Sequence, residues 1–190
     1  MGTDTTEQKR ERLLTTVRDL VLEKGIQGSS MSKISRASGL PMGTIYAMYP
    51  TKEDLINAVY VFCRENYLGP ISFPRVRRGE EYEPAFREAV FAYIDSAVAH
   101  DRDFLFVEQC YLDPIIRPET LSGGENGPAE VDMEGLVDRG GDGERSVFLV
   151  THLILAVIHK AINLHLTGRI TLDEATKEEV ARICQSILRM

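Results

Sequence analysis

No apolar stretch in this 190-residue sequence reads as a membrane span. The longest, Val147 to Ile158, is interrupted by Thr151 and His152 and falls short of the roughly 20 residues a bilayer demands. The opening residues, MGTDTTEQKRERLL, are polar and lack the apolar centre of a signal peptide, so the expected location is cytoplasmic. Cysteine is scarce: Cys63, Cys110 and Cys184 lie far apart, with no CxxC or CxxH spacing. That pattern predicts buried reduced thiols rather than a metal site or a redox pair. Catalytic signatures are missing too, with no G-x-S-x-G, P-loop, H-E-x-x-H or glycine-rich dinucleotide fingerprint. The nearest carboxylate groupings, Glu80-Glu81 and Asp101 with Asp103, fall at expected connectors and read as solvated charges. Neither an enzyme nor a cofactor is expected. Apolar–polar alternation between hairpin turns is absent as well, which argues against a sheet protein.

What is present is enough apolar material for a sizeable core, 43% of residues, and an uneven charge. The net charge of −7 conceals a division. Residues 1–52 hold eight basic and five acidic groups, a balance of +3, whereas the remainder holds 14 basic and 24 acidic, a balance of −10. A mildly basic head on an acidic body suits a polyanion that meets one end only.

Helical periodicity runs through most of the chain. Leu13, Leu14, Val17, Leu20 and Val21 form one stripe from Glu7 to Lys24, closed by Gly25. Gly28-Ser29-Ser30 predicts a turn whose serines cap a helix from Met31 to Ser38. Gly39-Leu40-Pro41 breaks the chain before a short helix from Met42 to about Tyr49. Thr51 is the expected cap of a fourth helix, Lys52 to Tyr67. A connector from Leu68 to Glu83 carries Arg75, Arg77 and Arg78. Helices are expected up to about His100 (around Phe86, Val90, Tyr93, Ile94 and Ala97) and from Asp103 to Leu112. Residues 117–143 read as a loop with one short helix near Glu130 to Val137. Two helices close the chain: Glu144 to Gly168, apolar on most of its circumference, and Leu172 to Leu188, apolar on one stripe. The fold class is all-α.

Residues 30–49, SMSKISRASGLPMGTIYAMY, have the layout of a helix-turn-helix: two short helices, a glycine turn, and Ile34, Ala37, Leu40 and Ile45 to pack them together. In such a motif the first helix braces on the DNA backbone and the second enters the major groove. The resemblance extends further. Gly25-Ile26, Ser29-Ser30-Met31 and the run Gly39-Leu40-Pro41-Met42-Gly43-Thr44-Ile45-Tyr46-Ala47-Met48-Tyr49-Pro50-Thr51-Lys52-Glu53-Asp54-Leu55 resemble the DNA-binding domain of the TetR family of regulators. The resemblance spans residues 9–56, about a quarter of the chain.

It implies an N-terminal three-helix DNA-binding domain, residues 1–52, followed by a helical ligand-binding and dimerisation domain, residues 53–190. It implies double-stranded DNA as partner, with Ser30, Ser32, Met42, Gly43, Thr44, Tyr46 and Lys52 as contacts. Gly43 would allow close backbone approach, Thr44 offers a hydroxyl and a methyl, and Tyr46 and Lys52 match phosphate-binding positions. Tyr49 is expected in the core. The sequence departs from the family at Pro41, which forgoes a capping hydroxyl, and at Met42 and Met48, so the recognition helix lacks Arg, Lys, Asn and Gln. Specificity then leans on apolar contacts and DNA shape.

The two C-terminal helices are expected to form a four-helix bundle with a second copy, because a helix apolar all round needs more cover than one neighbour gives. Tyr60, Phe86, Tyr93, Phe106 and Tyr111, with His152 and His159 from one face of the long helix, are candidates for a largely apolar effector pocket. The family expectation is a repressor released from a palindromic operator by a small effector of unknown identity. The alternative is an effector-independent architectural or cell-division factor on the same scaffold. No metal and no membrane partner is expected.

Overall fold

The computed structural model describes residues 5–69, 71, 82–121 and 143–188. Among these, every regular element is helical: α1 Thr6–Gly28, α2 Met31–Ser38, α3 Met42–Met48, α4 Lys52–Leu68, α5 Tyr82–Ala99, α6 Asp101–Cys110, α7 Pro118–Leu121, α8 Gly143–Leu166 and α9 Glu174–Leu188. The all-α expectation holds, and most boundaries fall within two residues of those read from periodicity. The arginine cluster at 75–78 and the short helix expected at Glu130–Val137 lie outside the described residues.

Two compact units are formed, Met1–Asn66 with Arg102–Gly127, and Tyr67–Asp101 with Pro128–Met190. In the first, α1 packs on α2 and α2 on α3. Its core is Leu13, Leu14, Val17, Val21, Ile34, Ile45, Leu55, Ile56 and Val59, joined by Phe104 and Phe106 of α6. Thr5 and Gln8 close α1 with a reciprocal capping box, and the helix kinks at Gly25, whose φ is 72°. A polar cluster crosses this core. Arg18 donates to Asp103 at 2.7 Å and to Asp19 at 2.8 Å, and Asn66 donates to the second Asp103 oxygen at 3.1 Å. The first unit therefore gathers α6, from beyond residue 100, against α1 and α4.

In the second unit α5, α8 and α9 pack on one another. Phe86, Val90, Tyr93, Ile94 and Ala97 line the buried side of α5 as the periodicity predicts, against Ile154, Ile158, Ile162, Val180 and Cys184. All three cysteines are free and buried. Burial raises the Cys110 and Cys184 thiols to about 12, which keeps them protonated and inert at neutral pH.

One expectation needs correcting. By length and composition, Leu149–Leu166 in α8 is apolar enough to cross a membrane. The interrupted run Val147–Ile158 hid this, because the helix continues through Ala161, Ile162, Leu164 and Leu166. Only 22% of that stretch is buried within the chain. Leu149, Leu153 and Ala156, spaced four and three residues apart, form an exposed apolar stripe, and Ile183 of α9 is exposed as well.

Candidate nucleic-acid interface

The site begins with a turn. α2 ends on Gly39, whose φ of 70° and ψ of 11° lie in the left-handed region. A side chain there is strained, so glycine is required. Replacing Gly39 with alanine is expected to destabilise the protein by about 1–2 kcal/mol, read as a lower urea midpoint. An unchanged midpoint would contradict the assigned turn geometry.

Two serines hold this turn together. Ser35 Oγ donates to the Leu40 carbonyl at 2.7 Å, and Ser38 Oγ accepts from the Leu40 amide at 3.4 Å. Neither bond is announced by helical periodicity, which predicts Ala37 in the helix–helix contact. Ala37 is exposed and Ser38 is buried in its place. An eight-residue helix has too few turns for periodicity to separate adjacent positions. The signal that was available is the Ser-x-x-Ser spacing just before Gly-Leu, where hydroxyls bond back to local backbone groups.

Ile34, Leu40 and Ile45 are buried as expected and pin α3 on α2. The opposite face of α3 is open. Met42, Gly43, Tyr46 and Ala47 are exposed, and Thr44 is half-buried. Pro41 starts the helix without a side-chain cap, consistent with its missing hydroxyl. A Cβ on Gly43 would meet nothing within 4 Å, and the residue is helical with ordinary dihedrals. Nothing among the described residues calls for glycine there.

Ser30 caps α2, its hydroxyl accepting from the Lys33 amide at 3.4 Å and lying 3.0 Å from Ser32 Oγ. Both serines are exposed, so two hydroxyls stand at the N-terminus of α2, where free amides and the helix dipole favour an anion. Ser29 does different work: it is buried and donates to the Gly25 carbonyl at 2.8 Å, holding the kink. Tyr49 is half-buried rather than fully in the core, and its hydroxyl accepts from Arg10 Nε at 3.2 Å.

Lys52 opens α4, and its ammonium donates to the Ile26 carbonyl at 2.5 Å. Burial lowers its pKa, and Asp113 opposes that shift. Only one of its three N–H groups is used by this bond. Thr51 caps α4 as expected: its hydroxyl accepts from the Asp54 amide at 3.0 Å and donates to the Asp54 carboxylate at 2.7 Å. These bonds and Arg117 hold the Asp54 carboxyl below its usual range.

The support behind this end of α4 comes from distant parts of the chain. Arg117 pairs with Glu53 at 2.7 Å and with Asp54 at 2.5 Å. Asn57, buried, donates to the Glu53 and Ile115 carbonyls and accepts from the Arg117 amide at 3.0 Å. The residues that brace Lys52 are thus about 60 positions away along the chain, and no local pattern announces them.

Residues 13–59 match the family model for bacterial regulatory proteins of the tetR family. The match contains the entire helix-turn-helix and the start of α4. Solved structures share the fold over the whole chain. A TetR family transcription regulator from Marinobacter aquaeolei VT8 superposes with a TM-score of 0.76 at 18% identity, covering 95% of each chain. A TetR-like transcriptional regulator from Rhodococcus sp. RHA1 gives 0.69 at 13% identity, over 98% of this chain and 97% of that one. The flavonoid-responsive regulator FrrA gives 0.64 at 19% identity, covering 96% of each. Comparison with curated proteins yields no match. Over nearly all of its length the chain shares the all-helical fold of these solved regulators.

The candidate effector residues fall in both units. Tyr60 and Phe106 are buried in the first, where Tyr111 is exposed. Phe86 and Tyr93 are buried in the second, and His152 is half-buried there. Tyr93 Oη lies 2.6 Å from His159 Nε2, with the rings stacked at 5.6 Å between centroids.

Proposed function

We propose that this chain is a cytoplasmic homodimeric repressor that binds a palindromic operator and is released by a small effector. Residues 1–52 read DNA, and residues 53–190 sense the effector and dimerise. The contacts are Ser30 and Ser32 on phosphate from α2, Met42, Gly43, Thr44 and Tyr46 in the groove from α3, and Lys52 on phosphate from α4.

The observation that carries this reading is Gly43. Glycine is a poor helix former, and among the described residues no neighbour excludes a side chain at this exposed position. A reason outside the chain, such as close approach of a DNA backbone, accounts for it. Gly43→Ala is therefore expected to raise stability by up to about 1 kcal/mol while weakening operator binding. Tyr46→Phe is expected to weaken it by roughly 2- to 12-fold, the value of one hydrogen bond, with little dependence on operator sequence. Both are measured by titration against duplexes that the wild-type protein selects from random DNA. Full retention of binding in both variants sinks the assignment of α3.

Dimerisation uses α8 and α9. The exposed stripe of Leu149, Leu153 and Ala156, with Ile183, supports this, since a helix so apolar and so little buried needs a second cover. Effector binding then favours a subunit arrangement whose recognition helices no longer match grooves about 34–36 Å apart. Operator affinity falls by the ligand's differential affinity for the two arrangements. The stacked Tyr93–His159 pair offers polar atoms within an apolar unit.

A further inference from the structure

Among the described residues, Arg64 is the one buried charge that the preceding assignments leave without a role. It lies on α4, one turn after Tyr60, and only 9% of it is exposed. Its Nη1 donates to the Thr120 carbonyl at 2.9 Å and the Leu121 carbonyl at 3.2 Å, at the end of α7. Its Nε is buried and has no acceptor. Among the described residues no carboxylate pairs with it, in contrast to Arg18 with Asp103 and Arg117 with Glu53 and Asp54.

Capping α7 explains Nη1 alone. Two neutral carbonyls compensate a guanidinium only in part, and a buried cation without a counter-charge is a costly arrangement. The orphaned atom also matters. Nε belongs to the planar edge with which arginine grips a carboxylate through two parallel hydrogen bonds. The guanidinium carbon sits 5.8 Å from the Tyr60 ring centroid, so an aromatic surface adjoins the charge.

We infer that Arg64 binds the carboxylate of an organic acid whose remaining body is apolar. This deepens the effector reading proposed above and rests on it for its regulatory role. A single guanidinium edge suits a monoanionic carboxylate; a phosphate dianion would leave charge uncompensated.

The test uses the full chain with benzoate, cinnamate and octanoate, each beside its neutral amide. Calorimetric titration should give at least one acid about 10- to 100-fold tighter binding than its amide, the range expected of charge-assisted hydrogen bonds. Arg64→Met should remove the preference. Its melting temperature should be maintained or raised, because a buried unpaired charge has gone. Arg64→Lys, which keeps the charge and loses the planar edge, should lose most of the preference and serves if the methionine variant fails to fold. The inference is overturned if no acid is preferred over its amide, or if the preference persists in both variants. It is also overturned if a neutral ligand releases operator equally well from wild type and variant, an outcome that leaves the effector reading standing. An acid that binds through Arg64 without changing operator affinity supports the site and removes the effector reading.

Discussion

Replacing Leu153 with glutamate is expected to leave the chain folded but monomeric. Leu153 is 46% exposed in the single chain and Leu149 59%, so a charge there meets water and the subunit core is undisturbed. In a symmetric dimer the same substitution appears in both copies of one patch, and both carboxylates lose water. The desolvation of each ion is worth several kcal/mol, enough to outweigh the stripe's apolar contacts. A monomer grips one half-site at a time, so operator affinity should fall by about 10²- to 10⁴-fold, the usual gain from joining two binding modules. Sedimentation velocity and operator titration read the two effects. Leu112→Glu, at a leucine 89% exposed outside α8 and α9, is the control and should change neither. A Leu153→Glu protein that stays dimeric at wild-type affinity removes α8 from the interface.

The second large effect is expected at Arg18. Its pairing with Asp103 is almost wholly buried, with 13% of the arginine side chain and 6% of the aspartate side chain exposed. Asp19 holds the arginine from its more exposed side and is itself held by Arg102 at 2.9 Å. Arg18→Met leaves the Asp103 carboxylate buried and without its cationic partner, with only neutral donors such as Asn66, at 3.1 Å, beside it. Breaking such a pair from one side typically destabilises by about 3–5 kcal/mol, which should appear as a large drop in the urea midpoint. The double variant Arg18→Met, Asp103→Leu should regain much of the loss, because neither partner is then left charged and unpaired. A double variant as unstable as the single one would show that Asp103 contributes through contacts other than this pair.

These two predictions draw on different kinds of information. The exposed stripe of α8 was legible in the sequence, since a helix apolar on most of its circumference demands more cover than one chain supplies. The Arg18–Asp103 pair was not. Its residues are 85 positions apart, each is an ordinary surface type in its own helix, and Asp103 read as a solvated connector charge. The same applies to Asn57 and Arg117 behind Lys52, and to Arg64 reaching Thr120 and Leu121.

Within the helix-turn-helix the division is finer. Gly39 was legible because a positive φ selects glycine. Ser30 was legible because a cap needs a hydroxyl three residues before a free amide. The exchange of Ala37 for Ser38 in the core was not, because α2 spans only about two turns.

The local chemistry of residues 30–49 therefore specified the motif: a capping serine, a left-handed glycine, a proline start, and apolar residues at helical spacing. Such signals act over three or four residues, the range of a backbone hydrogen bond, and a sequence displays them directly. What holds the first turn of α4, and which of the described arginines is buried without a carboxylate, were decided by the tertiary structure alone. These depend on segments 50 to 90 residues apart meeting in one core, and hydrophobic burial, which drives that meeting, carries no directional code in the sequence.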